Sequence, residues 1–342
     1  MAVETIVWPV TRPSRKRELG RGERVLPGAW RLRLPLPFPG VPHCNAWALK
    51  AGDGVVLVDT GMHEPGAVEH LELAMSQVGL RIEDVRLVVV THAHPDHVGQ
   101  APLIRERAGC EVWMHPNHAH LTAAAANPEE ALARLVEIGR QSGVPERPLL
   151  AWAQQRRERG VGVSGPIVVD RDLLPGVTIQ TDLGGFDVIE TPGHAPSHVC
   201  LHLPGRRLLI SGDHLLGRVS LYFDYGYSED PVGEFLSSLD KVDRLDARLA
   251  LSGHGRPFTD VRGHVEANRA LVRQRLSAVR TALRTGPLTA YELAPRIYGE
   301  LFSDEYATWL MTKTLCWLRH LEVRGEARRL EGEPERWVGA GS

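Results

Sequence analysis

The seven residues Thr91-His92-Ala93-His94-Pro95-Asp96-His97 place four potential metal ligands within six positions, directly after the apolar run 87–90. That run reads as a buried strand. In an extended segment side chains alternate faces, so His92 and His94 project together and can grip one cation. Asp96 and His97 sit where the chain turns into a helix-like run beginning near Val98. That offset can present them to a second cation beside the first. Imidazole and carboxylate ligands together suit zinc best, with iron or manganese next. Four such groups at the mouth of a buried strand are hard to explain as packing or as a merely solvated loop.

Three later stretches repeat the arrangement. Thr191-Pro192-Gly193-His194-Ala195-Pro196-Ser197-His198 follows the apolar pair 188–189, Ser211-Gly212-Asp213-His214 follows 208–210, and Leu251-Ser252-Gly253-His254-Gly255 follows 249–250. Each puts an ionisable residue just past a strand end, beside a glycine that lets the backbone turn sharply. Asp59 ends the run 55–58 ahead of Thr60-Gly61, where it can accept the free N–H of a metal-binding histidine and set its tautomer. His115, His118 and His120 are spaced more loosely, with no carboxylate among them, and read as surface or pocket-rim residues. The stretch 221–227 is rich in phenols, so Tyr222, Tyr225 and Tyr227 are candidates to hydrogen-bond a substrate oxyanion.

The elements that must position these groups alternate in type. The charged stretch 11–24 reads as a loose arm, and 29–36 alternates arginine with apolar residues as a strand with one solvated face would. Pro35, Pro37, Pro39 and Pro42 predict an irregular loop. Segments 45–49 and 55–58 read as a hairpin, and Val68, Leu71, Met75 and Val78 form a helical stripe over 65–79. Helix is expected at 101–108 and strand at 111–114, then helices at 128–140 and 147–160, with strands at 167–169, 177–180, 186–190, 199–203 and 208–211. An amphipathic helix over 237–245 follows. The order strand, helix, strand, helix implies a layered alpha/beta sandwich. The helical pair within 116–165 interrupts it and reads as a lid, a packing element or a dimer element.

The chain has 342 residues, enough for two domains, and a net charge of −2 with 24% charged residues. Bulk electrostatics therefore points neither to nucleic acid nor to an anionic membrane. Four scattered cysteines are too few for a disulfide scaffold. The N-terminus, with the basic cluster Arg12 to Arg17, lacks an apolar signal-peptide core, and no segment approaches the ~20 apolar residues of a membrane span. A cytoplasmic location is the expectation. Homo-oligomerisation is left open.

Taken together, the His-x-His-x-Asp-His motif and the three later strand-end motifs resemble the metallo-beta-lactamase superfamily from about residue 29 to 257. The resemblance implies a four-layered αβ/βα sandwich. It implies that His92, His94 and His194 hold one divalent ion, that Asp96, His97 and His254 hold the second, and that Asp213 bridges them. It further implies a hydrolase in which hydroxide bound by the two metals attacks an acyl carbon or a phosphorus, with Asp96 or Asp213 relaying a proton. His94 stands where flavodiiron proteins carry a glutamate, which argues against the redox branch. Beyond about residue 263 an arginine-rich helix over 264–285, a short capped helix over 288–294, a helix over 307–321 and a beta-wing over 323–338 resemble the winged-helix appendage of one branch. This divides the chain into a catalytic domain, 1–262, and a winged-helix-like domain, 263–342. Cleavage of a small ester, thioester (as in glyoxalase II) or lactone is the expected activity, the partner a small acyl substrate. Phosphodiester cleavage of RNA or DNA is the alternative. The tail's arginines are interleaved with glutamates, so no uninterrupted basic face offers itself to nucleic acid.

Overall fold

The computed structural model describes residues 19–38, 40–299, 302 and 307–341, with the side chains of 307–309 left aside. The first sheet runs in sequence order through β1 (Arg21–Leu26), β2 (Ala29–Phe38), β3 (Val41–Ala51), β4 (Gly54–Val58), β5 (Val85–Val90), β6 (Glu111–Met114) and β7 (Arg171–Asp172). β1 to β4 pair antiparallel, and β4 to β7 pair parallel. The second sheet contains β8 (Thr178–Thr181), β9 (Gly184–Glu190), β10 (Val199–Leu203), β11 (Leu208–Gly212) and β12 (Leu249–Ser252), in the order β12-β11-β10-β9-β8.

The helices are α1 (Ala67–Ser76), α2 (Pro95–Val98), α3 (Ala101–Ala108), α4 (Ala119–Ala126), α5 (Pro128–Gln141), α6 (Glu146–Arg159), α7 (Pro231–Asp243), α8 (Val261–Leu283), α9 (Ala290–Tyr298) and α10 (Ala307–Val323). The hairpin of β13 (Ala327–Leu330) and β14 (Arg336–Gly339) closes the chain.

Period-two patterning creates the layers. In β4, Val55 and Leu57 face Leu71, Met75 and Ile104 of the first helical layer, while Val56 and Val58 face the other sheet. Val89 of β5 meets Phe186, Val188, Leu201 and Ile210 in a core between the sheets. On the far side Cys200 and Leu209 pack under α7 and α8. The stack is helix, sheet, sheet, helix, the mixed αβ/βα sandwich expected. No helix among the described residues is long and apolar enough to cross a membrane.

Several expectations are corrected. Residues 11–18 of the charged arm lie outside the described residues, but 21–26 form the edge strand β1. The prolines at 35, 37 and 42 do not make a loop. β2 continues to Phe38 and β3 starts at Val41, and a register shift between Pro35 and Phe38 absorbs the missing N–H groups; Pro39 itself is outside the described residues. Residues 167–169 are not a strand, and the pairing with β6 is made two residues later by Arg171–Asp172. α7 starts at Pro231, six residues before the expected 237, because Asp230 caps it by accepting the Gly233 N–H at 2.9 Å. Asn127 precedes α5 as expected, yet its side chain makes no capping bond.

The core beneath the second sheet does not stop at residue 262. Phe223, Phe235 and Leu239 share one cluster with Val272, Leu276, Leu293, Trp317 and Trp337. Trp317 is buried, stands edge-on to Phe223 at 5.1 Å and donates its indole N–H to the Tyr298 hydroxyl at 3.0 Å. Trp317→Ala is expected to cost about 3–5 kcal/mol of unfolding free energy. Chemical denaturation measures it, and a loss under ~1 kcal/mol would contradict a continuous core.

Candidate metal centre

Every residue of the motifs lies just beyond a strand, and all gather at one end of the two sheets. His92 and His94 follow β5, Asp96 and His97 lie on α2, His194 follows β9, Asp213 follows β11 and His254 follows β12. Three cross-links hold the halves together here. Asn45 of β3 donates its backbone N–H to Gly253 O at 2.7 Å and its side-chain amide to Ser252 O at 2.8 Å. Val199 N–H reaches Thr91 O at 2.8 Å, and Ala93 N–H reaches Ser197 Oγ at 3.1 Å.

The first cluster is a tripod of nitrogens. His92 Nε2, His94 Nδ1 and His194 Nε2 lie 3.0, 3.0 and 3.2 Å apart. The outer nitrogen of each ring already donates its proton. His194 Nδ1 donates to Tyr222 O at 3.1 Å and His94 Nε2 to Asp224 at 3.0 Å. Thr91 Oγ1 gives its only proton to Asp59 Oδ2, so at 3.0 Å it accepts the Nδ1–H of His92. These partners point the remaining three nitrogens at one another. That is repulsive unless a cation sits among them, and the spacing approaches the ~3.3 Å between nitrogens of a tetrahedral zinc site. Burial would lower the His94 pKa, but Asp224 overrides it and raises it, so without a metal a proton takes the cation's place among them. The residues fit a divalent ion. Burial, followed by the neighbouring histidines, holds the His92 ring well below its ordinary pKa and moves His194 down to about 4.

The second cluster adds carboxylates. His254 Nε2 lies 3.3 Å from Asp96 Oδ2 and 3.2 Å from Asp213 Oδ2, and His97 Nε2 lies 3.5 Å from Asp213 Oδ1. His97 Nδ1 donates to Asp59 Oδ2 at 2.8 Å and His254 Nδ1 to His43 O at 2.9 Å, so their Nε2 atoms point inward. His97 Nε2 and Asp213 Oδ1 are buried with no hydrogen-bond partner among the described residues. Burial would depress the His254 pKa, but Asp213 and Asp96 override it and raise it to about 10. His97 moves up for the same reason, against burial. Two largely buried carboxylates thus hold positive charge here, which in the absence of a metal takes the form of protons on these rings. Asp213 Oδ2 also lies 3.8 Å from His194 Nε2, putting this carboxylate between the two sets. The ligand atoms within each of the groups His92/His94/His194, His92/His97/Asp213 and Asp96/His97/His254 lie within 4.8 Å of one another.

The supporting residues explain the local backbone. Asp59 has a positive φ of 62° and accepts from Thr91 N–H at 2.8 Å, Thr91 Oγ1 at 2.9 Å and His97 Nδ1 at 2.8 Å. His198 Nε2 accepts the Asp213 N–H at 3.0 Å, and a Cβ at Gly212 (φ +47°) would meet that nitrogen at 2.6 Å. At Gly253 a Cβ would fall 2.1 Å from Asp213 Oδ1.

Asp224, set among aromatic residues in 221–227, carries no mark in the sequence of a role at the site. It accepts from His94 and lies 3.5 Å from His120 Nε2. The three tyrosines separate. Tyr222 stands 5.6 Å from the ring centres of both His94 and His194. Tyr225 packs against the core under α10, and the Tyr227 ring is tilted against that of His120 at 4.5 Å, with the Arg134 guanidinium 4.8 Å from its centre. His115, joined to Glu190 at 2.9 Å, lines a neighbouring cavity of about 400 Å³.

Comparison with known proteins agrees with this geometry. The sequence profile of the metallo-beta-lactamase superfamily matches residues 39–254. "Probable metallo-hydrolase YqjP" of Bacillus subtilis is 26% identical over 80% of this chain and 86% of its own length. An "Atrochrysone carboxyl ACP thioesterase" of Aspergillus chevalieri is 22% identical over 87% and 82% respectively. The crystal structure of the metallo-beta-lactamase family protein TTHA1429 of Thermus thermophilus superposes with a TM-score of 0.79 at 30% identity, over 92% of this chain and all of that one.

Two outcomes follow from the site. Asp224→Asn is expected to weaken binding at the histidine tripod by about 10–100-fold without unfolding the chain, read by competition with a chromophoric chelator; unchanged affinity would contradict the positioning role. Because the His254 pKa is raised to about 10, the ring is protonated below that pH and a cation must displace the proton. Zinc affinity at the carboxylate cluster should therefore rise between pH 6 and 8, by about tenfold per unit for each proton displaced. Titration in buffers of different ionisation enthalpy would count the protons, and a pH-independent affinity would contradict the assignment.

Proposed function

The chain belongs to the metallo-beta-lactamase superfamily, and from that premise we propose that it hydrolyses a small acyl ester, thioester or lactone with the help of two divalent ions, zinc foremost and iron or manganese as alternatives. His92, His94 and His194 would hold the first ion and Asp96, His97 and His254 the second, with Asp213 between them. Such ions, when bound, lower the pKa of water and polarise the oxygen of the electrophile. The convergence of three imidazole nitrogens beside two largely buried carboxylates is the observation that carries this reading.

The chain's own groups supply orientation and proton handling. Asp59, Asp224 and the carbonyls of Tyr222 and His43 fix which nitrogen of each histidine faces inward. Asp96 and Asp213 are the inward-facing carboxylates and the candidates to take and return a proton. Burial raises the Tyr222 phenol, so it stays protonated and acts as a donor or as a pocket wall, never as a base.

The acyl reading is favoured by the name of the Aspergillus relative, a carrier-protein thioesterase, and by the way residues 263–342 are used. We assign these residues to a winged-helix-like appendage whose task is to brace the pocket. Cys316 contacts the carbonyls of Phe223 and Asp224, and His320 holds Asp230 at 2.9 Å, so α10 underlies the loop that carries Tyr222 and Asp224. Several of its arginines are engaged with acids: Arg280 with Glu326 at 2.6 Å, Arg329 with Glu335 at 3.3 Å and Arg336 with Glu292 at 3.2 Å. Acids interleaved in this way break up the continuous basic face that a phosphate backbone would want.

The test is a panel of neutral and charged acyl thioesters, esters, lactones, a phosphodiester and single-stranded RNA. Acyl cleavage that falls by at least about 10³-fold in Asp213→Ala is expected, the scale of losing a metal-assisted step. Cleavage of RNA or the phosphodiester alone would overturn the acyl reading.

A further inference from the structure

The inserted helix α6 carries an arginine on its inward face. Leu149 and Ala153 are buried, and Arg156 continues their stripe at the i+3 spacing that keeps residues on one side of a helix. The helix is pinned at its C-terminal end to the ligand-bearing loops. His63 N–H bonds to Gly162 O at 2.9 Å, Ser164 N–H bonds to Gly99 O at 2.8 Å, and a Cβ at Gly162 would meet Met62 at 2.7 Å and Pro95 at 3.0 Å. Its last turn consequently lies beside the strand ends that bear the histidines. Arg159, one turn on from Arg156, places its guanidinium 5.3 Å over Phe38 at the end of β2.

Arg156 differs from its neighbours in what it lacks. Arg157 holds Glu129 at 2.9 Å on the solvent side. Arg156 is half-buried, and among the described residues no hydrogen bond or ion pair to a carboxylate is made by it. Burial lowers its pKa, and the groups within electrostatic range are the Tyr222 phenol and Arg159. Tyr222 in turn lies against the rings of His94 and His194. A half-buried guanidinium without a counter-charge among the described residues, within electrostatic range of the tyrosine that lies beside the histidines, costs free energy that an anionic ligand would recover.

We infer that Arg156 recognises an oxyanion carried by the substrate, a carboxylate or a phosphate, so that the protein prefers anionic acyl compounds to neutral ones. The inference rests on the acyl-hydrolase reading and narrows it to a charge class. The anion could belong to the acyl group or to the thiol it is esterified with.

Two matched pairs separate these sources: glutaryl against butyryl thioesters of N-acetylcysteamine, and butyryl thioesters of 4′-phosphopantetheine against pantetheine. The zinc-loaded wild type should favour the anionic member of at least one pair by about tenfold or more, mainly in KM, as expected for one charge-assisted contact. Arg156→Gln should abolish that preference and leave kcat/KM on the neutral partner within about threefold, while Arg156→Lys keeps part of the preference and Arg157→Gln keeps all of it. No preference in the wild type, or a preference retained by Arg156→Gln, overturns the inference. So does an equal loss on both members, which would mark Arg156 as structural. If no acyl substrate is turned over, the hydrolase reading fails separately, and calorimetric binding of glutarate and inorganic phosphate decides. Binding at least tenfold weaker to Arg156→Gln in either case supports the anion site, and equal binding of both overturns it.

Discussion

Three imidazole nitrogens within 3.2 Å of one another, each pointing inward, are the constraint on which the rest of the site depends. Left alone, such a tripod would relax by turning a ring. It is held because each outer nitrogen is tied to an acceptor that cannot readily move: a backbone carbonyl, a threonine hydroxyl locked to Asp59, and the buried carboxylate of Asp224. The fold supplies rigid mounts for those acceptors at the ends of both sheets. The electrostatics follow, since imidazole nitrogens on one side and two largely buried carboxylates on the other make a region that attracts positive charge.

The same logic extends outward into the packing. Asp224 and Tyr222 sit on a segment without regular structure between β11 and α7, which by itself would be mobile. Phe223 from that segment is buried between Phe235 of α7 and Trp317 of α10, so the far end of the chain stiffens the loop that orients His94. Opposite it, the 116–165 insertion brings α6 and its arginines against the motif through Gly162 and Ser164. The site therefore draws on parts of the chain more than 200 residues apart, through core packing as much as through hydrogen bonds.

Much of this was legible in the sequence, and the rest was hidden for identifiable reasons. Residues 91–97, 191–198, 211–214 and 251–255 advertise themselves because ionisable groups beside glycine at the ends of apolar runs have few other uses. The sandwich followed from strand and helix periods, since β3 to β5 alternate cleanly between two cores. Asp224 was not legible as a positioning group, because it lies among aromatic residues 130 positions from His94 and only folding joins them. Asn45 and His198 work through backbone groups of other segments, a role that leaves no mark on residue type. Arg156 stands in the charged run Arg156-Arg157-Glu158-Arg159, which does not single it out, and its half-buried stripe shows only once α6 is docked. Errors at 35–42, 167–169 and 231–236 share one cause. Local signals such as proline or a short apolar triplet were overridden by pairing and capping partners elsewhere.

Metal content, measured by elemental analysis on the wild-type protein as purified and again after chelation and refilling with zinc, tests the central claim most directly. Two converging ligand sets predict about two divalent ions per chain, removed by chelator and regained on refilling. A protein that carries none, and takes up none on reconstitution, would contradict the account at its root.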